Sequence, residues 1–272
     1  MPRERVYEAE LSDHLPQVYI CGVLGNRVRV LSWNVLMKCL KSEKGTNNGF
    51  KKNETYPEFA MRLQIVAAVI AGFFVDDPVY LPMVAALQEC PAHPEQQASL
   101  MSEIRKRVPG LQFRAQNMSR NIANITLWDA GHWRLSWVHE PPKDGILSRA
   151  LVIELAAAAG TASPPCTLHN VHLAWVAKPG HGAYAAHAAA VGDAVGRSLA
   201  AHGPFAMAIG DFNMNVRDAA DGLKQHCEGA VVQQIVESSQ TWKGGPSQAC
   251  VDGAIWVDSS AAGVRWCFWN SI

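Results

Sequence analysis

The feature that most constrains this chain is a recurring juncture. A run of apolar residues, long enough for a buried strand, ends in one small acid, amide or imidazole. VLSWN ends at Asn34, AALQE at Glu89 and NVH at His172, IGDFN carries Asp211 and Asn213, and VDG carries Asp252. Burying such a group without a partner costs roughly 2–7 kcal/mol. A protein that sets these groups together at one edge of its sheets is building a site.

The rest of the chain supplies the strands and helices such a layout needs. Residues 18 to 35 predict two strands around a Gly25-Asn26 turn. Residues 41 to 54, with Lys41, Lys44, Lys51 and Lys52, predict an exposed loop. From Pro57 to Phe74 the spacing is helical, with Phe59, Leu63, Val66 and Ile70 on one face. Strands are expected over 79–90, 113–114, 122–128, 133–139, 149–155, 169–175, 205–213 and 250–257, with a last one over 264–269. Helices are expected over 96–107 and 184–201. No internal repeat or linker interrupts this order, so one α/β or α+β layered domain is expected over residues 1–272.

Composition narrows the class. Hydrophobic residues make up 49%, enough for a sizeable core. Lys+Arg and Asp+Glu balance at 24 each, so no basic excess announces a nucleic-acid surface, and a local patch is still compatible with that balance. The seven cysteines are scattered without a C-x-x-C pair, which favours buried free thiols in a reducing compartment. The N-terminus, MPRERVYEAE, lacks the apolar stretch of a signal peptide. Runs such as 65–75 and 151–159 are too short to span a bilayer. A cytoplasmic protein is the expectation, with the nucleus as its alternative.

Taken singly, each polar tip has a plain structural reading. Asn34 is a turn-capping amide, LQE a chance triplet, His172 a satisfied core histidine, and GDFN a tight turn. The ordered set is harder to explain that way. Oxygen donors from Asn and Glu suit a hard cation such as Mg²⁺, while no Cys/His spacing suggests zinc.

That ordered set resembles the endonuclease/exonuclease/phosphatase superfamily of Mg²⁺-dependent, DNase I-like phosphoesterases. The matching segments are VLSWNV (30–35), AALQEC (85–90), NVHLAW (170–175), IGDFNMN (209–215) and VDGAIW (251–256). The resemblance implies a two-sheet β-sandwich flanked by helices, a four-layer α/β arrangement. In the family a Ser-Asp-His motif follows the last of these segments. Here it stands at the other end, in LSDHLPQVY (11–19). The sequence therefore resembles a circular permutation of the family, its usual last strand joined by a tight hairpin to its usual first. Termini that lie close together at the surface make such a change tolerable. Three rival origins of the motif are an accidental SDH in a truncated relative, a fragment of a tandem array, and a motif completing a neighbour's site in a swapped dimer. A monomer is the expectation, the swapped dimer its alternative.

Carried over residue by residue, the resemblance implies that Asn34 and Glu89 hold Mg²⁺ (or Mn²⁺), with Asp13 near the ion or its water. It implies that Asp211 orients or deprotonates the attacking water and that Asn213 bonds the phosphate. His14 contacts the scissile phosphate, with Asp252 holding His14 in orientation. His172 is a second phosphate ligand or an acid toward the leaving oxygen, and Arg149 faces the phosphate. The pattern lacks the Pro-x-Trp-Cys-Asp-Arg run of the inositol phosphatases and resembles more the deadenylase and DNase branches. A nucleic acid is thus the expected substrate, with a lipid or small phosphate ester, or a non-catalytic binding relative, as alternatives. Trp175, the lysine-rich loop and NMSRN (117–121) are candidate substrate contacts, each with a plain alternative as core tryptophan, solvated loop or turn.

Overall fold

The computed structural model describes residues 12, 14, 16–23, 26–36, 56–75, 81–142, 144–163, 165–174, 182–202, 206–219, 222–223, 225–226, 230–233 and 252–257. Strands run over β1 (Gln17–Val23), β2 (Asn26–Asn34), β3 (Met83–Pro91), β4 (Leu111–Asn117), β5 (Ile122–Asp129), β6 (Trp133–His139), β7 (Ala150–Ala157), β8 (Cys166–His172), β9 (Ala206–Asp211), β10 (Ala230–Gln233) and β11 (Asp252–Val257). Three α-helices, α1 (Tyr56–Val75), α2 (Pro94–Arg105) and α3 (Gly182–His202), complete the described framework. The strands form a five-stranded sheet in the order β1-β2-β3-β5-β4 and a six-stranded sheet in the order β10-β11-β9-β8-β7-β6.

The two sheets face one another, and helices cover their outer faces. Alternation along each strand decides which residue goes where. Leu31, Trp33, Ala85 and Leu87 pack with α1 and α2 on the outer face of the first sheet. Val152, Val171, Ala206 and Ala208 pack beneath α3 on the outer face of the second. Between the sheets lie Cys21, Val28, Val30, Val84, Ala86, Trp128, Trp133, Ile153, Leu168, Met207 and Ile209. This is the four-layer α/β sandwich expected from the sequence. Cys21, Cys90 and Cys166 are buried free thiols. Burial drives the Cys21 and Cys90 thiol pKa values upward and that of Cys166 to about 12.

Three expectations shift. Ladder pairing closes β1–β2 on Val23 and Asn26, so the connecting pair is 24–25 rather than Gly25-Asn26. Arg149 ends a short 3-10 turn (Ile146–Arg149) instead of starting a strand. Helix α1 is longer and more apolar than the runs read from the sequence suggest. By length and composition it could cross a membrane, yet Phe59, Leu63, Val66 and Ile70 pack it onto the first sheet as the helical spacing predicts. Its Arg62 is buried and donates to the Val35 and Leu36 carbonyls. The lysine-rich loop and the expected strand over 264–269 lie outside the described residues.

Candidate active site

The inward-facing residues of the sandwich change character from one end to the other. Along β2 they run Val28, Val30, Ser32, Asn34; along β3, Val84, Ala86, Gln88; along β8, Cys166, Leu168, Asn170, His172; along β9, Met207, Ile209, Asp211. Antiparallel β5 runs the opposite way, from Trp128 through Thr126 to Asn124. All the polar members at this end are buried. The gradient exists because each sheet holds a parallel pair, β2–β3 in one and β8–β9 in the other. The carboxyl ends of both pairs meet at the same edge, where Asn34 donates through Nδ2 to Asp211 Oδ2 at 2.9 Å.

Amides tie the sheets together just beneath. Gln88 Nε2 donates to Asn170 Oδ1 at 2.8 Å, and Asn170 Nδ2 donates to the Leu87 and Ile125 carbonyls. Asn124 Nδ2 donates to the Asn170 and Arg149 carbonyls. These bonds cross-link the two sheets through a buried polar layer, with Gln88 Oε1 and Asn124 Oδ1 left without a hydrogen-bond partner among the described residues. They were missed in the sequence, although Asn170 stands two residues before His172 and so on the same strand face.

Two backbone irregularities aim the acids. Simple alternation would turn Glu89 toward the helices with Ala85 and Leu87. A register shift between Leu87 and Cys90, with Glu89 at φ 52°, breaks that alternation. A bulge re-aims a side chain in this way, and Glu89 Oε1 comes within 3.5 Å of His172 Nε2 on the opposite sheet. Before Asp211, Gly210 has φ 145° and its backbone crowds β8. A Cβ there would fall 2.1 Å from the Val171 carbonyl oxygen, so only glycine fits.

Asp211 is the hub. Its Oδ1 accepts from the Asn213 amide at 2.8 Å. Its Oδ2 lies 3.9 Å from both His14 Nε2 and His172 Nε2, within ion-pair range and beyond hydrogen-bond range. The N-terminal motif is anchored to this edge within the same chain. Ser12 Oγ donates to the Asn34 carbonyl at 2.6 Å and accepts from the His14 amide. Trp33 Nε1 in turn donates to the His14 carbonyl. Arg149 brings its guanidinium to 3.2 Å from His172 Nδ1. Guanidinium only donates, so Nδ1 accepts and the neutral ring carries its proton on Nε2, facing the two carboxylates.

The structure thus brings together His14, Asn34, Glu89, Arg149, His172, Asp211 and Asn213. Asn213 sits at φ 52° and donates through Nδ2 to the Leu173 carbonyl, leaving its second amide proton and its oxygen for other partners. Asn34 Oδ1 accepts from the Leu36 amide and retains one lone pair. Asp252 stands in ladder register opposite Asp211, its side chain outside the description. Asp13 and Trp175 lie outside the described residues. NMSRN starts on the last residue of β4, and β5 then begins at Ile122, opposite Pro91, which is two positions beyond Glu89, so this turn borders the site.

No protein-family model matches the sequence, and no curated protein sequence matches it. Solved structures do. The fold is similar to a truncated TDP2 from Caenorhabditis elegans (TM-score 0.52, 15% identity, 85% of this chain and 84% of that one). It is also similar to the human Nocturnin catalytic domain solved with a bound sulfate anion (TM-score 0.52, 11% identity, 89% and 85% coverage). A humanized D. rerio TDP2 gives TM-score 0.53 at 14% identity, with 86% and 84% coverage. What these structures share with the chain is the fold, a DNase I-like two-sheet α/β sandwich.

Proposed function

We propose that this protein is a Mg²⁺-dependent phosphoesterase that hydrolyses phosphodiester bonds in nucleic acid. The observation that carries the reading is the convergence of Glu89, Asp211, His14 and His172 at one edge, with Asp211 within 3.9 Å of both imidazoles. Phosphoryl transfer needs a positioned nucleophile and compensation of charge on the phosphoryl oxygens, with little covalent chemistry from the protein. A buried carboxylate beside two imidazoles supplies both.

The donor set fits a hard cation. Glu89 offers a carboxylate and Asn34 an amide oxygen, with Asp13 next to His14 as a third candidate. When bound, Mg²⁺ would neutralise phosphoryl charge and favour ionised water. Asp211, fixed by the Asn34 and Asn213 donors, orients the attacking water and receives its proton. His14 stabilises charge developing on the phosphate. His172, its Nδ1 engaged by Arg149, presents its Nε2–H as a hydrogen-bond donor that stabilises charge on the leaving oxygen. Exposed Arg120 at the rim tracks the nucleic-acid backbone, joined by the lysine-rich loop and Trp175. The Ser-Asp-His segment acts in cis, as the family's C-terminal motif relocated by permutation.

The test is Mg²⁺-dependent cleavage of a panel by the parent and His14→Ala. The panel comprises single-stranded RNA, single- and double-stranded DNA, an abasic duplex, a phosphoinositide and sphingomyelin. Nucleic-acid cleavage that falls at least about 100-fold in the variant is expected. Cleavage persisting near the parent rate in His14→Ala would refute the permuted site, and cleavage of only the lipids would move the substrate class. Mg²⁺ is also expected to raise the parent's melting temperature, and Glu89→Ala to abolish that rise.

A further inference from the structure

On the outer face of the second sheet, three side chains converge that the phosphoesterase reading leaves unused. His139 ends edge strand β6, Glu154 lies on β7, and His202 closes α3. One candidate ligand atom from each lies within 4.8 Å of the other two. His139 Nε2 is 2.7 Å from Glu154 Oε1, and the His139 and His202 rings meet edge-on with centroids 4.5 Å apart. The cluster is separate from the candidate active site. Glu154 pairs with Thr167, five positions before His172 along β8, about 16 Å at the rise of an extended strand. It also faces α3, whereas His172 faces the first sheet.

Three observations point to a metal. First, His202 Nδ1 is 2.6 Å from the Ser198 carbonyl oxygen. A carbonyl only accepts, so Nδ1 carries the proton and Nε2 presents a lone pair. An outer hydrogen bond of this kind orients a ligating imidazole. Second, the ladder fixes two of the donors. Trp137 pairs with Glu154 and His139 with Val152, so both donors stand on adjoining strands. Third, the cluster is open to solvent. The His139 and Glu154 side chains are 30% and 39% exposed, and a cleft of about 240 Å³, lined by Ser136, Glu154, Thr167 and His202 among others, opens beside them.

We propose that His139, Glu154 and His202 form a zinc site, with water completing the coordination, that ties the end of α3 to the edge strand of the sheet. Two imidazoles and one carboxylate with an open position are a zinc donor set, in contrast to the oxygen donors at Glu89 and Asn34. Tetrahedral zinc at 2.0–2.1 Å sets its ligand atoms about 3.3 Å apart, so the 4.8 Å spread closes by side-chain rotation. The His139–Glu154 hydrogen bond opens to receive the ion.

The experiment strips the full chain with EDTA and titrates Zn²⁺ against a chromophoric chelator. It compares the parent, Glu89→Gln, His202→Ala and the near-isosteric Glu154→Gln. Parent and Glu89→Gln are expected to bind the same equivalent, with a raised melting temperature. His202→Ala and Glu154→Gln are expected to bind it at least about 10- to 100-fold more weakly. Co²⁺ in the parent should give the intense visible spectrum of four-coordinate cobalt. Unchanged zinc uptake in Glu154→Gln, or none in the parent, overturns the site and leaves a hydrogen-bonded His–Glu pair. Loss of the equivalent in Glu89→Gln alone would assign the ion to the other edge and equally overturn it. Should His202→Ala fold poorly, Glu154→Gln carries the comparison.

Discussion

His169 and His172 stand three residues apart on β8 and lie on opposite faces of it. His169 faces α3 and is wholly buried. Its Nδ1 donates to the Met207 carbonyl at 3.2 Å, and its Nε2 accepts from Ser198 Oγ at 2.8 Å. Burial, with lesser repulsion from His202 and His139, pushes its pKa down to about 3. His172 faces the first sheet and is nearly as buried, yet its neighbours are Glu89, Asp211 and Arg149. One face satisfies an imidazole with neutral partners and keeps it uncharged. The other sets it among ionisable groups, two carboxylates and a guanidinium. Burial alone therefore does not mark a functional histidine; the chemistry of its partners does.

The sharpest way to break the contrast is on the His172 side. Asp211→Ala removes the group that both imidazoles face and is expected to lower turnover by at least about 100-fold, measured under single-turnover conditions. It also strips the Asn34 and Asn213 donors of their acceptor, so a lower melting temperature accompanies the loss. Gly210→Ala attacks the same hub through the backbone. The new Cβ would meet the Val171 carbonyl oxygen at 2.1 Å with φ at 145°, a strain expected to cost about 3 kcal/mol or more in urea unfolding. Parent-like stability would mean that β8 and β9 can separate there.

On the His169 side the expected change is in stability and in its pH dependence. His169→Gln should cost about 1–3 kcal/mol at pH 7 while turnover per folded molecule stays at the parent level. The sign of the pH effect follows from the lowered pKa. Below about pH 6.5 the unfolded imidazole takes up a proton that the folded one refuses until about pH 3. This group alone therefore removes about 1.4 kcal/mol of parent stability per pH unit across that window. The variant lacks that slope, so the two stabilities should converge as pH falls, read by urea titrations in EDTA. Parallel curves would mean that His169 is charged when folded.

Much of the sandwich was legible in the sequence. Strand β6 falls on the expected 133–139, and α3 within a residue or two of its expected bounds. The polar tips at Asn34, Glu89, His172 and Asp211 were visible because each interrupts an apolar run. Other parts were not. Glu89 reaches the site only through a bulge that no local pattern announces. Gln88, Asn124 and Asn170 read as ordinary polar residues until two sheets face one another. Nothing in the sequence joins His139, Glu154 and His202, which come from two strands and a helix end.

The sequence by itself determined which apolar residues are buried, in which alternation, and which strand ends carry polar tips. Those properties are local: the free energy of burial acts on each side chain, and the period of two sorts it to a face. Only the tertiary structure decided which ends meet. Asn34 and Asp211 are 177 residues apart and belong to different sheets. Their contact depends on two parallel strand pairs docking with their carboxyl ends at one edge, and on the backbone turns at Glu89 and Gly210 that aim the acids inward. Non-local pairing and side-chain direction after a bulge are set by packing as a whole, and a one-dimensional pattern does not contain them.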